Sequence, residues 1–560
     1  MRIPSLALAA LAASALPAAA APSAVKGGAS ADLVIWGGPI YTAVDAHPKA
    51  DAVAVSHGRI AFVGAKAGAQ ALVGPKTKVI DLKGAALFPG FTDSHAHLRE
   101  IGERELTLNL EGAKSAAEVA QRLKAWIADH KGIGAVVGGG WIETGWPEGR
   151  FLDPSDIDPV SGDIPVLLRR ADGHAVVANS AALKAAHIDE STPAPAGGQI
   201  LKGPDGKLTG MLVDNAMNLL GSSRRPGTGV DRTAAFKAAF RVETAYGWTG
   251  VHSMSVSWPE VIALEAMDKA GEAPLRVYNA VDAAEAGPLF EGGPRATPGG
   301  RITTRAIKLY MDGALGSRGA KLFAPYSDAP AITGTYVTEP AAMRPVLAKA
   351  LAKGIQVSTH AIGDKGNATA LDLYEEAFKA NPAAGKAARW RIEHAQILRP
   401  ADIPRFHSDA VIASMQPSHA IGDFHFAPAR LGKDRLKGAY AWKSLLESGA
   451  VVVGGSDAPV ERGAPLIEFY AAVARKDLKG YSNADWHAEE KLSRAEALRL
   501  FTSSAAYARF AEKDLGTISL GKRADLSGFS VDLMTAPEAA IPKGHAVLTV
   551  VDGQVVYDNR

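Results

Sequence analysis

The sequence predicts an α/β protein: a barrel of parallel βα units, joined to a small β-sandwich built from both chain ends and interrupted by an insertion near the barrel mouth. Three observations predict it. Short apolar runs alternate with Ala-rich amphipathic stretches through the middle of the chain; turn-punctuated strand-like runs stand at both ends; and residues 98–247 exceed what two βα units use. At 560 residues the chain is too long for one ordinary compact domain and suits a large barrel with an accessory unit. Its 47% hydrophobic content supports a sizeable core. Lysine and arginine (61) nearly balance aspartate and glutamate (59), and no dense basic block occurs. Nothing there recruits nucleic acid or a membrane surface, so a small molecule is the expected partner, and a homo-oligomer is compatible.

The elements follow in chain order. Residues 1–21 read as a signal peptide, with a positive start at Arg2, an apolar run over 3–16 and small residues at 18–21. The apolar run is shorter than the roughly 20 residues a bilayer span needs, so a secreted or periplasmic protein is expected. With no cysteine, the chain forms no disulfides and offers no thiolate ligand. Residues 32–37 and 53–64 read as strands around a His57-Gly58 turn, and 516–526 and 547–557 repeat that grammar. One sandwich formed from 31–85 and 515–560 would leave fewer unpaired edges than two separate hairpins.

The barrel is assigned to 86–514. Stretches 116–130, 232–246, 341–353 and 365–380 carry helical apolar spacing. Apolar runs of strand length lie at 135–138, 166–169, 250–253, 306–310, 355–359, 390–393, 411–415 and 451–454. These are more strands than a small open sheet needs, which favours a TIM-like (β/α)8 barrel. A doubly wound sheet is the alternative, disfavoured because no Gly-rich phosphate loop follows the first strand. The insertion, about 98–247, holds the Gly138-Gly139-Gly140-Trp141 run and the Pro/Gly-rich 193–206. Trp141, Trp146 and Trp248 are either an apolar wall for a ligand or ordinary core.

The chemistry begins at "FTDSHAHL". Alternate residues of a strand share a face, so His95 and His97 project together from its end. In a barrel, functional residues gather where strands pass into loops at the carboxyl face. Lys308, His360, His394, His419 and Asp457 each follow an apolar run. Imidazole and carboxylate ligands with one open position suit zinc or a similar ion that activates water.

The series His95-x-His97, Lys308, His360, His394, Asp457 resembles the amidohydrolase superfamily. The phrases "RRADGHAVVANSAAL", "KLYMDGALGSRGA", "STHAIGD", "EHAQ", "MQPSHA" and "GSDAPV" resemble the branch, amidohydrolase family 3, that includes N-substituted formamide deformylases. The resemblance implies a distorted (β/α)8 barrel with a two-piece sandwich. It further implies that His95, His97 and Asp457 bind one ion, that His360 and His394 bind a second, and that a carbamylated Lys308 bridges two zinc ions. His174, His419, Asp312 and Arg318 become candidate substrate contacts. Two positions depart from the family pattern: Gly319 stands where threonine is usual, and Ala458 where an aromatic commonly follows the aspartate. Both bear on substrate shape.

A buried amine is costly to charge, and a neutral amine can capture carbon dioxide, which is the physical case for the bridge. The alternative is a plain Lys308 paired with Asp312 or a substrate carboxylate. The expected reaction is hydrolysis of a C–N, amide-type bond of a small molecule by metal-activated water, with Asp457 as catalytic proton shuttle. Ester hydrolysis, deamination, decarboxylation or isomerisation on the same site are the rivals. A non-catalytic binding protein would be expected to have lost ligands, and none is lost.

Overall fold

The computed structural model describes residues 30–221, 230–483 and 485–560. The expected signal peptide lies outside the described residues. Eight parallel strands form the nearly closed barrel: β1 (Phe91–Ala96), β2 (Trp248–Val256), β3 (Arg276–Asp282), β4 (Ile302–Tyr310), β5 (Gln356–Ala361), β6 (Arg391–His394), β7 (Ile412–Met415) and β8 (Val452–Gly454). Every residue of β1, β2, β5, β6, β7 and β8 is buried, as expected for parallel strands covered on both faces. Between β8 and β1 the wall is completed by the turn after β8. There Asp457 N–H donates to His95 O (2.6 Å) and His97 N–H to Ala458 O (2.8 Å).

The covering helices follow their local signals. Helix Trp258–Lys269 starts with a Ser257/Glu260 capping box. Helix Arg232–Tyr246 begins where Asp231 accepts Ala234 N–H (2.8 Å) and stops at Gly247, whose φ of +99° favours glycine. Helices Pro340–Ala352 and Asp364–Ala380 occupy the stretches whose spacing predicted them.

Two corrections concern strand membership. The runs at 135–138 and 166–169 are not barrel strands. They belong to a separate six-stranded sheet in the insertion, ordered Gly198–Lys202, Leu208–Asp214, Ala175–Ala178, Val166–Arg170, Val136–Trp141, Leu108–Asn109. That sheet has its own core of Trp141, Trp146, Leu152, Leu168, Val177 and Met211. Trp141 and Trp146 are therefore core, each indole N–H donating to a backbone carbonyl, and Trp248 packs in the main core. In their place β3 completes the barrel; its buried face includes Arg276 and Asn279, which hid it from a search for apolar runs.

The terminal segments form one continuous sheet ordered Gln554–Asp558, Ala546–Val551, Leu526–Phe529, Ala86–Pro89, Leu33–Tyr41, Lys49–Ser56, Arg59–Gly64, with Lys78–Asp81 also on Leu33–Tyr41. The two ends meet where Ala86–Pro89 pairs antiparallel with Leu526–Phe529. Leu33, Val53, Ile60, Leu526, Leu548 and Val550, from both chain ends, share one apolar core. Its join to the barrel is aromatic: Phe91 lies 5.2 Å from Phe529 and 5.9 Å from Phe88 and Phe501, ring centre to ring centre.

Candidate metal centre

Strand register delivers the site. β4 ends with Tyr310 beside His360 of β5, and Ala361 stands beside His394 of β6. His95 comes from β1 and Asp457 from the turn after β8. Ser255, His394, Ala395 and Asp457 hold φ values of 54°, 74°, 43° and 60° at these carboxyl ends, a concentration of left-handed backbone that tertiary structure must impose.

His95 and Asp457 form the centre of the cluster. Nδ1 of His95 lies 2.6 Å from Glu393 Oε2, and both side chains are fully buried. The carboxylate can only accept, so Nδ1 carries the proton and the Nε2 lone pair turns inward. There it faces Asp457 Oδ1 at 3.3 Å, with Lys308 Nζ at 3.5 Å. His394 is built alike. Its Nδ1 lies 2.8 Å from Gln416 Oε1, and that amide is oriented by its own N–H to Ser414 O (3.3 Å). His97 Nε2 stands 3.2 Å from the same Asp457 oxygen.

The electrostatics match this layout. Burial works to raise the Asp457 carboxyl, but the side chains of His95, His97 and His394 around it outweigh burial and hold the group well below the ordinary carboxylate range. Burial pushes His360 and His394 well below the usual imidazole range, and at His394 it does so against the nearby Asp457 carboxylate. Neutral imidazole is the form that binds metal.

These donors fit a cation. Ligand atoms of His95, His394 and Asp457 all lie within 4.8 Å of one another, and Asp457 Oδ1 makes no hydrogen bond. Lone pairs facing a carboxylate repel unless positive charge lies between them. This group of three draws on both sets implied by the family resemblance, since His394 was expected on the second ion. Lys308 is 1% exposed and close by, while His360 Nε2 faces Gly313 O at 3.4 Å.

The site opens into a cavity of about 580 Å³, lined from the barrel by His97, Lys308, Tyr310, His360, His394 and Asp457 and from the insertion by Arg170, His174 and Asp214. His174 thus faces the cavity, its ring 5.0 Å from that of His360. His419 stacks on His394 (5.9 Å), with Nε2 3.7 Å from Asp457 Oδ2. Two expected substrate contacts stand elsewhere. Asp312 is wholly buried outside the cavity wall and accepts the backbone N–H groups of Lys321, Ile362 and Gly363 (2.7–2.9 Å), fixing the loop after His360. Arg318 pairs with Asp328 (2.9 Å) and also lies off the wall.

Over residues 78–557 the chain matches the amidohydrolase family. The chain belongs to that family. The Bacillus subtilis protein YtcJ is 35% identical over 541 residues, covering 94% of this chain and 99% of its own. N-substituted formamide deformylase of Arthrobacter pascens is 27% identical over 546 residues, 94% of this chain and 98% of its own. Among solved structures, an uncharacterised metal-dependent hydrolase of Pyrococcus horikoshii aligns with a TM-score of 0.73 and 28% identity, covering 90% of this chain and 99% of that one. This amidohydrolase is therefore a metal-dependent hydrolase in its broad class.

Several functional groups of this amidohydrolase escaped the residue-by-residue reading. Glu393 and Gln416 orient the imidazoles of His95 and His394, though each sits inside a quoted phrase, "EHAQ" and "MQPSHA". Arg391, fully buried, holds Glu393 (2.8 Å) and also donates to His252, Ser94 O and Ser414. Asp93, in "FTDSHAHL", accepts Ser456 N–H (2.9 Å) and His95 N–H (3.0 Å), tying the first strand to the last turn. Glu393 directly precedes His394 and Asp93 stands two residues before His95, whereas nothing local marked Gln416.

Proposed function

We propose that the enzyme hydrolyses a C–N, amide-type bond of a small molecule, with Asp457 as the catalytic proton carrier. The observation that carries this reading is the convergence of His95 and His394 on the Asp457 carboxylate at the base of a ligand-sized cavity. His95, His394 and Asp457 would hold a divalent ion, with His97 beside them. In the fuller form of the proposal the metal would be zinc, His360 would hold a second zinc ion, and Lys308, carbamylated, would supply a carboxylate-like donor to them. Such ions supply the acidity that makes water a nucleophile near neutral pH, and they polarise a carbonyl oxygen.

The chain's own residues do the rest. Asp457 takes a proton from the attacking water as its oxygen bonds to the carbonyl carbon, then returns that proton to the leaving nitrogen as the C–N bond breaks. Glu393 and Gln416 hold the two imidazoles so that their inner nitrogens stay unprotonated. His174 and His419 are proposed substrate contacts. The deformylase among the relatives makes N-substituted formamides the first compounds to try. We further propose export to the periplasm or beyond, from the composition of residues 1–21.

The test is metal analysis, followed by a panel of N-formyl amines, N-acyl amino acids, cyclic amides and esters before and after chelation. Chelator-sensitive turnover of an amide, restored by zinc, supports the reading. Turnover of esters alone, or activity in metal-free enzyme, overturns it. Intact-mass measurement on gently handled protein tests the bridge: an unmodified Lys308 in fully loaded enzyme removes it.

A further inference from the structure

The inserted sheet has two unlike faces. Along Val136–Trp141 and Val166–Arg170, buried and half-buried residues alternate, as strand geometry requires. One face, with Val136, Leu168 and Val177, packs into the insertion's own core beside Trp141. The other turns toward the metal centre, and Val137, Leu167, Val176 and Met217 line the same cavity as His394 and Asp457. Register joins them into a patch: Val137 pairs with Leu167 across parallel strands, and Val176 lies diagonally from Leu167 on the next, antiparallel strand. Val137 and Leu167 are apolar yet only half-buried. The tryptophans are core, and aliphatic side chains on the reverse of their sheet face the cavity.

Charged groups on the cavity wall are already engaged with one another. Arg99 is held by Glu103 (2.6 Å) and Glu260 (2.7 Å), Arg104 by Glu105 (3.0 Å), and Arg170 by Glu143 (2.8 Å) and Asp172. A charged substituent would have to compete with such pairs, whereas a hydrocarbon would cover Val137 and Leu167 and release the water over them. The cavity, about 580 Å³, leaves room for several carbons beside an amide. We propose that the substrate carries an apolar, uncharged chain or ring on one side of its scissile amide, and that Val137 and Leu167 read it. The inference rests on the proposed hydrolytic reading and deepens it: the barrel supplies the donors that act on the amide, and the insertion selects by what is attached to that amide.

Two homologous series on the metal-loaded enzyme test it. N-alkylformamides from methyl to hexyl extend the amine side, and N-methylalkanamides from acetyl to octanoyl extend the acyl side. On the side that meets the patch, kcat/KM should rise about 3- to 4-fold per added methylene, the worth of burying one, and a terminal ammonium on the same chain should cancel the gain. Leu167→Ala and Val137→Thr should each lower the ratio of longest to shortest substrate about 5- to 10-fold, a ratio that cancels any general loss of activity. Val137→Thr keeps the branched shape, so it remains the test where Leu167→Ala does not fold. Flat series on both sides, an undiminished gain with the charged chain, or a wild-type ratio in both variants would overturn the inference. A second measurement needs no turnover. Methyl n-alkyl ketones carry the carbonyl and lack the C–N bond, and their calorimetric binding to the holoenzyme should tighten with chain length and lose that dependence in Val137→Thr. Failure of the hydrolytic reading looks different, because no amide would then be turned over while the ketones still rank by length. Length-independent ketone binding beside intact amide turnover overturns this inference alone.

Discussion

The two ends of the barrel both gather ionisable side chains and use them in opposite ways. At the amino end, Arg276 of β3 pairs with Asp525 and Asp552 of the terminal sheet, and Asp552 also takes Arg301 (3.0 Å) and Arg523 (2.8 Å). Opposite charges there satisfy one another. At the carboxyl end, His95, His97, His360, His394 and Lys308 surround Asp457, left-handed backbone accumulates, and Asp457 Oδ1 and His419 Nε2 lack hydrogen bonds. A closed set of charges stabilises, whereas an incomplete set binds.

Substitutions at each end should separate those roles. The largest loss is expected from Asp457→Asn, with kcat down by about 10³-fold or more and much of the metal retained; single-turnover assays beside metal analysis check it. Arg276→Ala takes the guanidinium partner from Asp525 at the closed end, while Asp552 keeps Arg301 and Arg523, and should cost about 3–5 kcal/mol in denaturant unfolding, with kcat per folded molecule unchanged. Glu393→Gln should weaken metal affinity about 10- to 100-fold in competition titrations with a chelator, because the amide no longer fixes the His95 tautomer. The smallest effect concerns Asp423. Burial raises its carboxyl from an ordinary 3.8 to about 7 in the fold, so its stabilising contribution is complete below the unfolded value and is lost as pH rises through about 7. Asp423→Asn should flatten the fall of Tm between pH 4 and 8, and an unchanged slope would show that other groups govern it.

Sequence made the candidate ligand histidines legible because each stands at a strand end, where one apolar run stops and one polar residue begins. The helix over 232–246 was equally plain, with Asp231 before it and Gly247 after it. Sheet membership was not legible. The run at 166–169 is as apolar as a barrel strand, and only long-range pairing assigns it to the insertion. Arg276 concealed β3 for the converse reason, since its partners lie some 250 residues away and no local pattern announces a buried ion pair. Glu393 is separated from His95 by a similar distance in sequence. Asp312 and Arg318 sit beside the Lys308 phrase, yet closeness along the chain did not bring their side chains to the cavity.

The seam between Ala86–Pro89 and Leu526–Phe529 has a consequence for biosynthesis. A ribosome delivers every barrel strand before it delivers the partner of that seam, so the emerging chain carries a bare strand edge and an unneutralised Arg276 until Asp525 and Leu526–Phe529 have been made. The closing hairpin then works as a clasp. Chains cut short by a few dozen residues would own every metal donor and still be unable to fasten the ring they belong to.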